Sequence, residues 1–279
     1  MTAAARQGVP RSAQRGGEAV ARRREFAWLA RYGLVARGVS YGIIGILALQ
    51  LALGAGGKTT TQRGALLEIA ERPFGRALLI AMIIGLASYA LWRLGRAAIG
   101  HGTQDTDSAG QRIAGAASGL GYLALSFTAV EILVGANSGG GTNSPKRTTG
   151  GILDGTGGTT IVATIGAILI GVALYQGYAA LSKRFLKDSN TAQMSRDVRR
   201  AFTALGVFGH LARMVVFGLV GYGLVKAAIN YNPRNAIGLD GALSQVSHYS
   251  YGPILLGIVA TGLIGFALYS IADARYRKI

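Results

Sequence analysis

Long apolar runs recur along this chain, and nothing else in it limits the possible folds as tightly. Six stretches, at about 33–54, 75–99, 113–135, 159–182, 206–229 and 252–274, are separated by short polar segments. A hydrocarbon core about 30 Å thick is crossed by about 20 predominantly apolar residues in helical form. None of the runs shows the two-residue alternation of a lipid-facing barrel strand. In lipid the backbone has no water to bond, so such a run satisfies its N–H and C=O groups internally, as a helix. The expected fold is all-α: a polytopic membrane helix bundle with six transmembrane helices.

The six runs fall into three pairs. Arg37 aligns with Ser118 and Arg213, and at the same offsets Tyr41 meets Tyr122 and Phe217. Among the second members of each pair, Gly75 meets Gly158 and Gly252. Ala90-Leu91-Trp92 likewise meets Ala173-Leu174-Tyr175 and Ala267-Leu268-Tyr269. The chain therefore divides into a basic tail (1–27) and three two-helix repeats at 28–104, 105–190 and 191–279. Two helices per unit give every unit the same orientation, so the repeats are parallel and related about an axis along the membrane normal. Three hairpins closed around a pseudo-threefold axis are the simplest such arrangement.

These residues resemble a bacterial family of unknown function whose members carry three copies of a paired-transmembrane-helix domain. The resemblance covers about residues 28–279. It rests on the triplicated layout and on Gly-Leu-Val-Ala-Arg-Gly at 33–38, echoed by Gly-His-Leu-Ala-Arg at 209–213. The middle repeat departs, with Ser118 in place of arginine. The family carries no settled activity, so the resemblance implies a fold and not a function. Mitochondrial carriers also have three two-helix repeats, but their proline-centred signature is missing from the odd-numbered helices here.

The net charge of +17, from 29 Lys+Arg against 12 Asp+Glu, would suggest a nucleic-acid partner in a soluble protein. Here the basic residues flank the apolar runs, which is the pattern of an orientation signal and of attraction to anionic head groups. With the N-terminus inside, inner segments hold 19 lysines and arginines and outer segments 7. Both termini are expected in the cytoplasm of a bacterial cell, with the protein in the inner (plasma) membrane. Trp92, Tyr175 and Tyr269 would then form an inner aromatic belt. Arg23-Arg24-Glu25-Phe26 resembles a twin-arginine export core. A retained basic flank is the better reading, because the helix that follows is one copy of a repeat. The tail before Phe26 has almost no large apolar side chain, and is expected to be disordered.

Of the 29 basic residues, the three outside those flank counts, Arg37, Arg213 and Lys226, lie in helices. Intramembrane ionisable groups are costly and so are candidate functional residues. For Arg37 and Arg213 the leading expectation is snorkelling of the guanidinium to the inner interface. The alternative is an anion or lipid-phosphate site, with Tyr41 supporting Arg37 from one turn away. Gln50, Glu131 and Lys226 occupy one repeat position near the outer end. They could form a Glu131–Lys226 pair with Gln50 alongside, as a structural polar cluster or as an ion or proton gate. Gly38, Gly42 and Gly45 in the first helix, and Gly218 and Gly221 in the fifth, place small residues on one face for close helix packing, most simply within the chain.

Nothing else reaches the standard of a chemical motif. The chain has no cysteine, which excludes disulfides, thiolate nucleophiles and thiolate-ligated metals. Gly57-Lys58-Thr59 resembles the tail of a phosphate loop, but the first glycine of that motif would fall at Ala52, inside a helix. His101, His210 and His248 are scattered, His210 being expected at a helix-end interface, and Asp105 and Asp107 lie in a polar loop. No cofactor, no metal site and no enzyme activity is expected. The expected function is a structural or accessory membrane protein that binds lipid, a membrane partner or a second copy. The alternative is a transporter or channel whose path at the repeat axis is lined by Arg37, Arg213, Gln50, Glu131 and Lys226.

Overall fold

The computed structural model describes residues 24–56, 58–99, 109–135, 144–247 and 250–278. The basic tail before residue 24, the polar loops at 100–108 and 136–143, and His248 lie outside the described residues.

Among the described residues nine α-helices follow one another: α1 (Arg24–Ala52), α2 (Gln62–Ala70), α3 (Gly75–Ile99), α4 (Ala109–Leu133), α5 (Ser144–Leu153), α6 (Gly158–Leu181), α7 (Arg196–Ile229), α8 (Leu239–Ser247) and α9 (Gly252–Tyr276). No strand occurs among the described residues. Six of the helices are long and apolar enough to cross a membrane: α1, α3, α4, α6, α7 and α9. Two begin earlier than hydropathy alone indicates. α1 starts at Arg24, and α7 starts at Arg196 behind the N-cap Ser195, whose Oγ accepts from Val198 N–H. At about 1.5 Å per residue, α7 is roughly 51 Å long, so its basic first turns project beyond the apolar layer.

The other three helices, α2, α5 and α8, lie where the sequence indicated polar connections. Each precedes the second spanning helix of its repeat. The triplicated glycines Gly75, Gly158 and Gly252 have a local cause there. A Cβ on any of them would collide with a carbonyl oxygen at the end of the preceding short helix: Ala70, Ile152 and Ser247, respectively. The chain reverses so tightly at this point that only glycine fits.

The spanning helices form an open ring. α6 packs on α7, α7 on α9, α9 on α1, α1 on α3 and α3 on α4. Repeats one and three therefore meet, through α1 and α9. The three contacts between repeats obey one rule. A Cβ on Gly45 would stand 3.0 Å from the Ala260 carbonyl oxygen, and one on Gly221 2.8 Å from that of Gly166. At the matching place Ser126 Oγ donates to the Ile83 carbonyl at 3.1 Å. Among the described residues, however, α4 and α6 do not pack on each other. The ring closed by three equal hairpins gives way to one whose middle hairpin is splayed.

A residue difference accounts for the splaying. In repeat one Gly85 lets α3 approach Ala36 and the Tyr32 carbonyl; in repeat three Gly262 meets Ala212 and the Phe208 carbonyl in the same way. The matching residue in the middle repeat is Ile168, which is too large for that approach and is 52% exposed. Met82 and Val259 are buried, while their counterpart Ile165 is exposed.

Candidate functional site

α1 and α9 run antiparallel, so Arg37 in the second spanning turn of α1 lies beside Ser270 near the end of α9. Arg37 turns inward and is 7% exposed. Its Nε donates to Ser270 Oγ at 3.1 Å and its Nη1 to the Tyr89 hydroxyl at 2.8 Å. The guanidinium carbon stands 5.3 Å from the Tyr89 ring centre and 5.0 Å from that of Phe266. Snorkelling does not occur at this position, because two rings and two hydroxyls hold the side chain in the bundle.

Arg213, its counterpart on α7, converges on the same phenyl ring. Its guanidinium carbon is 4.4 Å from the Phe266 ring centre, 4.9 Å from that of Phe217 and 5.3 Å from that of Tyr41. Tyr41 thus supports Arg213, not Arg37 one turn away on its own helix. With its amide oxygen facing Arg213, the buried Gln176 of α6 accepts from Nη1 at 2.9 Å and from Nε and Nη2 at 3.2 Å. Tyr122 of α4 completes the group, edge-on to Tyr89 with ring centres 4.7 Å apart. All six spanning helices contribute to this one cluster.

Its electrostatics are unbalanced. No carboxylate among the described residues forms an ion pair with Arg37 or Arg213. Arg93 adds to the positive side, its Nε donating to the same Tyr89 hydroxyl at 3.2 Å. With two guanidinium bonds on its oxygen, Tyr89 keeps its O–H to donate. An arginine at bilayer depth costs about 2.5–3.5 kcal/mol on insertion scales, and a cation–π contact returns about 0.5–2 kcal/mol. Aromatic faces and hydroxyls lower the cost of the two charges without cancelling them. An anion is the chemical complement of such a site.

The nearby carboxylates are committed elsewhere. Asp273, fully buried, accepts from Ser189 Oγ at 2.8 Å and from Arg277 Nη1 at 2.9 Å, and Arg277 Nη2 reaches Asp188 at 3.2 Å. Burial opposes the charge of Arg277, but Asp273 and Asp188 outweigh it and hold the guanidinium above its ordinary value. This knot ties the link between α6 and α7 to the end of α9. The aromatic belt is only partly realised. Tyr175 lies exposed, whereas Trp92 and Tyr269 are buried inside the bundle. His210 is likewise an interior residue: its Nδ1–H donates to the Gly206 carbonyl at 2.7 Å and its ring stacks on Phe185.

The outer polar layer does not assemble as expected. Glu131 pairs with Arg63 of α2 at 3.8 Å, not with Lys226. Lys226 is exposed beside the Tyr222 ring, and Gln50 is exposed as well. Toward this end Ala65 of α2 and Ala242 and Leu243 of α8 are fully buried in the core that holds Ile44 and Ala48. Of the five polar candidates, only Arg37 and Arg213 come together. The packing glycines act within the chain: Gly38, Gly42 and Gly45 face α9, and Gly218 and Gly221 face α6. Sequence reasoning missed Tyr89, Phe266 and Gln176. The first two occupy equivalent positions in repeats one and three, a signal that a closer alignment of the even-numbered helices would have exposed.

Triplicated helix pairs and an interior arginine cluster define a polytopic membrane protein built from three tandem two-helix units. Residues 32–100, 113–183 and 208–277 each match the family model described as Domain of Unknown Function (DUF1206), and the chain belongs to that family. It is 29% identical over 258 residues to the uncharacterized protein YxxB of Bacillus subtilis (strain 168), an alignment that covers 90% of this chain and 92% of that protein. No solved structure matches.

Proposed function

We propose that this protein is an accessory protein of the plasma membrane that binds an anionic phospholipid, with its phosphate held between Arg37 and Arg213. The observation that carries this reading is the convergence of two arginines on Phe266 with no carboxylate among the described residues paired to either. Guanidinium groups bind phosphate through fixed, charge-assisted donor pairs. The excess of basic residues at the end that carries the start of α1 and the finish of α9 supports a cytoplasmic position for that end. Binding is favoured over a transport path because Gln50, Glu131 and Lys226 do not continue the line of the two arginines.

Native mass spectrometry of the full chain from mild detergent tests this reading. Phosphatidylglycerol should be retained in preference to phosphatidylcholine, and Arg213→Gln should lower its retention about tenfold, equivalent to about 1.4 kcal/mol. Glycerol 3-phosphate offered alone separates a lipid site from a site for free phosphate. Equal retention of both lipids by wild type and variant would sink the proposal.

A further inference from the structure

The splayed middle repeat leaves an uncovered flank between α4 and α6. We infer that the opening between α4 and α6 is where the lipid enters sideways from the bilayer and where its acyl chains lie. The inference rests on the anionic-lipid reading above and specifies its route.

Three observations converge. First, the faces that are buried in repeats one and three are uncovered in the middle one. Ala36 and Ala212 are buried while their counterpart Ala117 is exposed, and Gly85 and Gly262 are buried while Ile168 is exposed. Gly121, whose counterparts Ser40 and Val216 are buried, has nothing within 4 Å of where a Cβ would stand. Second, the uncovered surface is apolar, made of Ala117, Gly121, Ile165 and Ile168. An apolar surface in a bilayer is matched by hydrocarbon. Third, polar groups stand at its inner edge. Gln176 on α6 reaches Arg213, and Tyr122 on α4 reaches Tyr89, which bonds Arg37. A molecule lying in the opening with its phosphate toward these side chains would satisfy both its apolar and its anionic parts. Free phosphate would use only the second.

The middle repeat is also the one with Ser118 in place of arginine. A third guanidinium there would sit in the mouth of the opening and fill it. Loss of the arginine and loss of the hairpin glycine therefore act together: one clears the entrance and the other holds the two helices apart.

The test compares three substitutions in the full chain by titrating phosphatidylglycerol and counting bound lipid by native mass spectrometry. Ile168→Trp should weaken binding at least fivefold by filling the opening. Ile84→Trp, at an exposed site on α3, should stay within twofold of wild type. Gly121→Phe, at a site where a Cβ meets no neighbouring atom within 4 Å, should reproduce the effect of Ile168→Trp from the other wall. Arg213→Gln reports on the anion site itself. If Arg213→Gln loses lipid while Ile168→Trp and Gly121→Phe match Ile84→Trp, the lateral route is wrong and the arginine site stands. If Arg213→Gln binds as wild type does, the site and the route fail together. If Ile168→Trp splits a dimer into single chains, the flank is an interface between copies and the inference is overturned.

Discussion

At the scale of single residues, the bundle is set by what glycine lets come close and by what arginine is turned toward. A Cβ on Gly45 would stand 2.8 Å from Ile264 Cγ1 and 3.0 Å from the Ala260 carbonyl, whereas one on Gly42 would meet Ala267 Cβ at 3.5 Å, an ordinary contact. Gly45→Ala should therefore destabilise the protein by about 1–3 kcal/mol, the usual cost of overpacking. Gly42→Ala should be near neutral. Thermal unfolding in detergent would show the first midpoint falling and the second unchanged; similar midpoints would mean that α1 and α9 approach elsewhere. The packing glycines were legible in the sequence because their spacing is a property of one helix. The direction of Arg37 was not. Whether a side chain one or two turns into a helix snorkels or turns inward depends on how that helix is rotated, and partners from α3 and α9 settle this. Tyr89 and Ser270 lie 52 and 233 residues away, beyond the reach of any local pattern.

At the scale of elements, the spanning helices were legible and the short ones were not. A run of about twenty apolar residues can be read against the thickness of a bilayer. α2, with nine residues, offers no comparable length and begins at a cap. Thr61 is that cap, its Oγ1 accepting from Gly64 N–H at 3.0 Å. Thr61→Ala should cost about 1 kcal/mol and speed amide exchange in α2 relative to α3. The same helix carries a pH response. Hydrogen bonds from Arg72 and Lys58 hold the Glu68 carboxyl below its ordinary value. A carboxyl depressed in the folded state stabilises above its unfolded pKa of about 4.3, and this contribution is lost as pH falls through the lower folded value. Exchange in α2 should rise as pH drops below about 4, after correction for intrinsic rates, and Glu68→Gln should remove that rise. A variant with the wild-type profile would exclude Glu68 as the cause.

At the scale of the whole molecule, repetition builds the bundle and a departure from repetition makes it specific. The three contacts between repeats share one geometry, at Gly45, Ser126 and Gly221. The hairpins do not, because Ile168 replaces the glycine found at 85 and 262. Both facts stand in the sequence. The threefold likeness was read directly, while the consequence of Ile168 needed the structure, since only there do Gly85 and Gly262 show what they touch. The central claim is that Arg37 and Arg213 hold one anion together, and a double-mutant cycle on phosphatidylglycerol affinity tests it most directly. Arg37→Gln and Arg213→Gln should each weaken binding about tenfold. The double variant should be little worse than either one, because groups that share a ligand are not additive. Fully multiplicative losses, or no loss from either substitution, would contradict the claim.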